Sequence, residues 1–213
     1  MGNRPKFLAI FLFLAFSHAA TAASLEAGKV IVLQGNGKVS TACVACHGAE
    51  GAGNAQAVFP QLARLNAGYL AKQIHDYQRA TRNDPVMQPI AKALSENEIA
   101  DVTAYFAAQR PAAPVAADPA LLARGARVAM SGVWEKDVPA CISCHGPGGR
   151  GVGTYFPALA GQHASYIAKQ LNAWRTGTRA NDPQGLMKGI AMRVPAGDIA
   201  AVSAYFASLP STP

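Results

Sequence analysis

Cysteine is scarce: four residues in 213, and none outside two short hexapeptides, "CVACHG" at 43–48 and "CISCHG" at 141–146. A framework of disulfides joining distant segments is thereby excluded, because bonds within each C-x-x-C pair would staple almost nothing. Charge is also sparse, at 15% of residues, and the lysines and arginines stand singly. No basic run or basic stripe interleaved with aromatics exists, so a nucleic-acid surface is not indicated. No segment alternates with period two, which excludes a substantial sheet. No apolar run is long enough to span a bilayer: the longest, 7–16, covers about half of the ~20 residues required.

Half of the residues are apolar, which indicates a packed globule, and 20 glycines with 14 prolines indicate abundant loops. The N-terminal segment has Arg4 and Lys6, the apolar run, then Ala20-Thr21-Ala22. That order is a secretory signal peptide, expected over 1–23 and cleaved on export. Loss of Arg4 and Lys6 lowers the formal charge from +7 to +5. A mildly basic surface that docks acidic partners fits this balance better than nucleic acid does.

Each C-x-x-C is followed at once by histidine. Three candidate ligands within five residues, with no fourth at zinc-finger spacing, make a poor tetrahedral zinc site. A thioredoxin-like redox pair needs a surrounding βαβ pattern, and none is visible. Attachment of c-type haem remains: Cys43 and Cys46 form thioethers to the porphyrin and His47 is the proximal iron ligand, with Cys141, Cys144 and His145 repeating the arrangement.

The chain is an internal duplication. "FPQLARLNAGYLAKQIHDYQRATRNDP" (59–85) answers "FPALAGQHASYIAKQLNAWRTGTRANDP" (156–183), and "MQPIAKALSENEIADVTAYFAAQ" (87–109) answers "MKGIAMRVPAGDIAAVSAYFASL" (187–209). The reading is all-α: two domains, 24–109 and 119–213, joined by a semi-extended Pro/Ala linker at 110–118. First helices are expected over 25–34 and 119–131, the latter started by Asp118 and Pro119. Middle helices are expected over 66–80 and 163–176. Ser95-x-x-Glu98 is a capping box for a last helix with Ile99, Val102, Thr103 and Phe106 on one face. Ile199, Val202, Ser203 and Phe206 repeat that face.

The same comparison locates a second axial ligand. Met87 lies 40 residues after His47 and Met187 lies 42 after His145, each in a loop beyond Asn-Asp-Pro and three residues before Ile-Ala. A thioether suits low-spin iron and raises its potential relative to a second histidine. Met130, opposite Leu33, reads as core filler. Met192 stands opposite Lys92, and His75 and His163 are each unmatched across the halves, so none of the three is a ligand.

With these residues in place the chain resembles the dihaem cytochromes c of the cytochrome c4 family. The resemblance is carried by the paired CxxCHG motifs, "FPALAGQHASYIAKQL", "GTRANDPQGLM" and the two "AYFA" helices. It implies two class I cytochrome c folds related by a pseudo-twofold axis, two covalently bound haem c groups, and propionates approaching across the interface. It implies a periplasmic electron carrier, soluble or loosely membrane-attached, with redox-protein partners: a quinol-oxidising complex or small periplasmic donor, and a terminal oxidase. By the same resemblance the carbonyls of Pro60 and Pro157 accept the Nδ1–H of the haem histidines. Gly28 and Gly125 allow the terminal helices to cross closely, facing Tyr105/Phe106 and Tyr205/Phe206. Tyr77 and Trp174 occupy matched positions from which a propionate is in reach. Competing readings are the dihaem subunit of a periplasmic dehydrogenase such as a sulfide-oxidising flavocytochrome, a dihaem peroxidase or thiosulfate dehydrogenase, and a haem gas sensor.

Overall fold

The computed structural model describes residues 22–38 and 41–211, so the leader expected over 1–23 lies outside the described residues except for Ala22 and Ala23. Among the described residues the first half runs through helices α1 (Leu25–Gln34), α2 (Val44–His47), α3 (Ala67–Gln78), α4 (Met87–Lys92) and α5 (Glu96–Ala108). The second half repeats the order as α6 (Pro119–Ser131), α7 (Ile142–His145), α8 (Ala164–Thr176), α9 (Leu186–Arg193) and α10 (Ala196–Ala207). No strand occurs among the described residues, only isolated bridges such as Asn54 with Phe59 and Val152 with Phe156.

The helix limits follow from their caps. The Ser24 hydroxyl accepts from Ala27 N–H and starts α1; the Asp118 carboxylate accepts from Leu121 N–H at 2.9 Å and starts α6. Both helices end at a glycine with positive φ, Gly35 and Gly132. Asn66 and His163 precede α3 and α8 as caps, so both middle helices are shorter than expected. The capping box of α5 is complete: Ser95 Oγ accepts from Glu98 N–H, and the Glu98 carboxylate accepts from Ser95 N–H at 2.7 Å. These bonds, with those from Lys38 and Asn36, hold the Glu98 carboxyl down at about 2.

Each domain is closed by its first and last helices crossing, α1 on α5 and α6 on α10. The closest approach is at Gly28 and Gly125. A methyl on Gly125 would overlap the Ala201 carbonyl and sit 2.7 Å from Tyr205 Cβ; on Gly28 it would meet Asp101 and Tyr105 Cβ. The tyrosines face these glycines, whereas Phe106 and Phe206 pack over Gly51 and Gly149. Gly125→Ala should therefore cost about 3 kcal/mol by overpacking, read as a lowered midpoint in denaturant with an unchanged slope.

The expected inner faces of the last helices are buried: Ile99, Val102, Thr103, Phe106, and Ile199, Val202, Ser203, Phe206. Two expectations are corrected. Met130 is 57% exposed rather than core, and its counterpart Leu33 is 37% exposed. α6 buries Gly125, Val128 and Ala129, and the next residue lies ~100° round the helix. Met87 and Met187 stand not in loops but in the first turns of the short helices α4 and α9.

Candidate haem sites and the seam between them

The spacing C-x-x-C-H places its three reactive side chains at i, i+3 and i+4, on one side of a single helical turn. That turn is α2 in the first half and α7 in the second. All four cysteines are free and partly buried, and burial pushes the Cys141 thiol up to about 11 and raises that of Cys43. His47 and His145 are buried. Their Nδ1–H groups donate to the Pro60 and Pro157 carbonyls, at 3.1 and 2.7 Å. A carbonyl can only accept, so Nδ1 carries the proton and Nε2 keeps its lone pair. Burial holds both imidazoles below the ordinary histidine value, with the proline carbonyls opposing. Each is a neutral imidazole held in one orientation, the state a metal ligand requires.

One continuous cavity of about 590 Å³ joins the two halves, and its lining includes Cys43, Cys46, His47 and Met87 from one half and Cys141, Cys144, His145 and Met187 from the other. The Asp84 carboxylate accepts from Met87 N–H at 3.1 Å and Val86 N–H at 3.0 Å, which fixes the start of α4. Asp182 accepts from Lys188 N–H at 2.9 Å and does the same for α9. Met192 is exposed. The unmatched histidines have structural partners: His75 is bonded to Gln78 and close to Glu96, and His163 Nε2 lies 2.9 Å from the Ala52 carbonyl across the interface. No group of three or more His, Cys, Asp or Glu side chains among the described residues could hold a bare metal ion.

The seam carries a polar network. Arg82 donates to Gln73 at 2.9 Å, to Gln170 at 2.8 Å and to Tyr166 Oη at 2.6 Å. Arg179 donates to Gln170 and Gln73, both at 2.9 Å, and stacks over the Trp174 ring at 4.0 Å. Arg82 and Arg179 are 5% and 4% exposed, yet among the described residues no carboxylate lies within ion-pair distance of either. Burial opposes the charge on Arg82, but the Tyr166, Tyr77 and Tyr69 hydroxyls outweigh it and raise its pKa above the ordinary value. Tyr166 is lowered in turn: Arg82 and Arg179 overcome its own burial. Among the described residues the buried Trp174 Nε1–H has no acceptor.

Two buried cations facing only neutral acceptors, and an indole N–H with none, call for anionic groups inside the cavity. Haem propionates are such anions, so the residues present fit two haems. Cys43, Cys46, His47 and Met87 would hold one, and Cys141, Cys144, His145 and Met187 the other. Sequence reasoning missed Arg82, Arg179, Gln73, Gln170, Tyr69 and Tyr166. Their signal was available, for the alignment of the halves matches Arg82 with Arg179, Gln73 with Gln170 and Tyr69 with Tyr166.

Two thiol pairs, two pinned imidazoles and two thioethers around a shared apolar cavity define a two-centre haem protein. The cytochrome c family model matches residues 32–109 and again 122–210. The thiosulfate dehydrogenase electron acceptor of Stutzerimonas stutzeri (strain A1501) is 46% identical over 191 residues, covering 88% of each chain. Reduced recombinant cytochrome c4 from Pseudomonas stutzeri superposes with a TM-score of 0.77 at 37% identity, covering 88% of this chain and 100% of that one. Thiosulfate dehydrogenase (TsdBA) from Marichromatium purpuratum superposes with a TM-score of 0.81 at 42% identity; the match takes in 88% of this chain but only 41% of that longer one. The chain belongs to the cytochrome c family, as a dihaem, cytochrome c4-like electron carrier with two tandem domains and two covalently attached haem c groups.

Proposed function

We propose that the protein accepts single electrons from a periplasmic thiosulfate-oxidising dehydrogenase and passes them towards a terminal oxidase, with no substrate chemistry of its own. The observation that carries the donor side is the near full-length match to the S. stutzeri electron acceptor, at 46% identity. The oxidase side rests on the resemblance to cytochrome c4. Periplasmic location rests on the leader-like order of residues 1–23. No helix among the described residues is long and apolar enough to cross a membrane.

In this reading His47 and Met87 would hold the iron of one haem, His145 and Met187 would hold that of the other, and the four cysteines would anchor the two porphyrins. When bound, each haem supplies an iron that cycles between Fe(III) and Fe(II), one electron at a time. The chain's contribution is to hold each imidazole in one tautomer through Pro60 or Pro157 and to keep the two sites in one cavity, where Met87 and Met187 would complete the ligand sets. With a histidine and a methionine on each iron no position would be left for a substrate, which supports the carrier reading over the peroxidase and gas-sensor readings.

The test is anaerobic mixing of oxidised holoprotein with a purified thiosulfate dehydrogenase and thiosulfate. The expected result is reduction of both haems, two electrons per chain, followed in the visible α-band. If that dehydrogenase reduces ferricyanide under the same conditions yet leaves this protein oxidised, the donor assignment fails.

A further inference from the structure

A second, smaller cavity of about 140 Å³ adjoins the haem cavity, sharing Leu65, Ala158 and Gln162 with its lining. Matching positions of the two halves face it: 61 with 158, 63 with 160 and 65 with 162. It therefore straddles the seam between the domains. Its polar residues break the internal symmetry. In the alignment of the halves Gln61 answers Ala158, Gln162 answers Leu65, Arg64 answers Gly161 and Arg150 answers Ala52. The residues around the haems occur in matched pairs, whereas none of these polar residues does, so holding a haem does not account for them.

Amides from both domains meet at this cavity. The Gln61 N–H donates to Gln162 Oε1, and Gln162 Nε2 donates back to the Gln61 carbonyl, both at 2.9 Å. Gln61 Oε1 accepts from Ala112 N–H in the linker at 2.9 Å. Gln61 Nε2 is left with a single long bond to Ser211 Oγ, at 3.5 Å, although the residue is only 2% exposed. A primary amide nitrogen has two N–H groups to place, so donor capacity is unused in a buried position. Arg64 and Arg150, one from each domain, also line the cavity, and no aspartate or glutamate does. Among the described residues neither guanidinium has a carboxylate within 4 Å. Arg64 holds a φ of 60°, a left-handed backbone that the second half gives to Gly161 at 73°. An L side chain is strained there, and such strain persists where the side chain has a use.

We propose that this cavity binds a small tetrahedral oxoanion, of the sulfate, thiosulfate or phosphate class, as a bridge between the domains. Arg64 and Arg150 supply the charged donors, and Gln61 Nε2 and Ser211 Oγ the neutral ones. The volume is several times the ~30 Å³ of one water, enough for such an ion. An anion beside the haem cavity stabilises Fe(III), so occupancy lowers the reduction potentials. By reciprocity the oxidised protein binds the anion more tightly than the reduced protein does. The site depends on the dihaem fold and not on which dehydrogenase donates.

The experiment titrates the holoprotein with sodium sulfate or phosphate against sodium chloride at constant ionic strength, in the oxidised and the ascorbate-reduced forms. Thiosulfate is added to the reduced form alone. Calorimetry should show one saturable site per chain, and sulfate should lower both midpoints. Amide NMR shifts in the reduced wild-type protein should centre on Gln61, Arg64, Arg150 and Gln162, a measurement that needs no variant to fold. The double variant Arg64→Gln/Arg150→Gln should bind about tenfold more weakly or worse, the worth of lost charged hydrogen bonds, and its midpoints should no longer respond to sulfate. Arg127→Gln, which changes an exposed residue of α6, should bind as wild type does. Tightest binding of thiosulfate would mark reduced sulfur as the natural source of the ion, and tightest binding of phosphate a general phosphate pool. The proposal is overturned by titrations of the wild type that do not saturate, by a double variant that binds as tightly as wild type, by midpoints indifferent to sulfate, or by shifts centred elsewhere.

Discussion

Met87→Ala and Met187→Ala should each lower the reduction potential of one haem, N-terminal and C-terminal respectively, by on the order of 0.1 V, within the ~0.8 V that axial ligation spans. The soft thioether favours Fe(II), so its loss stabilises the ferric state and the sign is downward. The effect is confined to one centre because each methionine stands in the first turn of its own short helix, with Asp84 fixing the start of α4 and Asp182 that of α9. Alanine is too short to reach iron, so the vacated position becomes accessible to cyanide in the ferric protein. Redox titration should show one midpoint moved and one retained, with half of the far-red methionine–iron absorbance lost. Met192→Ala, which changes an exposed side chain, is the control and should leave both midpoints in place. Unchanged potentials and spectra in both Met87 and Met187 variants would remove these residues as ligands.

Most of the site was legible because it is written twice. A repeated C-x-x-C-H frame states its chemistry directly, and matching the halves distinguishes Met87 and Met187 from Met130 and Met192 without any structure. The first helices were legible to the residue because their caps are local: Ser24 or Asp118 at one end, a positive-φ glycine at the other. What was less legible is what depends on packing. Met130 read as core because helical periodicity alone does not say which stripe of α6 meets α10, a choice that Gly125 and Ala129 settle by admitting the closest approach. The helices α4 and α9 read as loops because six to eight residues hold too few turns to establish a period, and α4 contains Pro89. Arg82 and Arg179 look like ordinary surface cations, the usual fate of arginine. Only the meeting of the halves buries them, and that contact spans about a hundred residues of sequence.

Those arginines give the second large effect. Arg82→Gln and Arg179→Gln should each destabilise the holoprotein by about 3–5 kcal/mol, the cost of leaving a buried opposite charge without its partner. At ~2–4 °C per kcal/mol for a chain of this size, that corresponds to a loss of roughly 10 °C in Tm. The comparison that decides the matter is Lys169→Gln, which breaks an exposed interdomain pair with Asp84 at 3.4 Å and should cost less than about 1 kcal/mol. An arginine–propionate pair at this seam would thus be worth severalfold more than Lys169–Asp84, because water reaches only the latter. The redox consequence has a definite sign as well. A cation near an iron disfavours Fe(III), so its removal lowers the potential. Arg179 is near enough to depress the His145 imidazole, behind burial and against the Pro157 carbonyl, so Arg179→Gln should act chiefly on the C-terminal haem. Calorimetry and redox titration of the same samples read both quantities. An Arg179→Gln protein that melts within about 2 °C of wild type, less than 1 kcal/mol by the same scale, with both midpoints unmoved, would show that the neutral acceptors Gln73, Gln170 and Tyr69 already satisfy the guanidinium and that no anion lies against it.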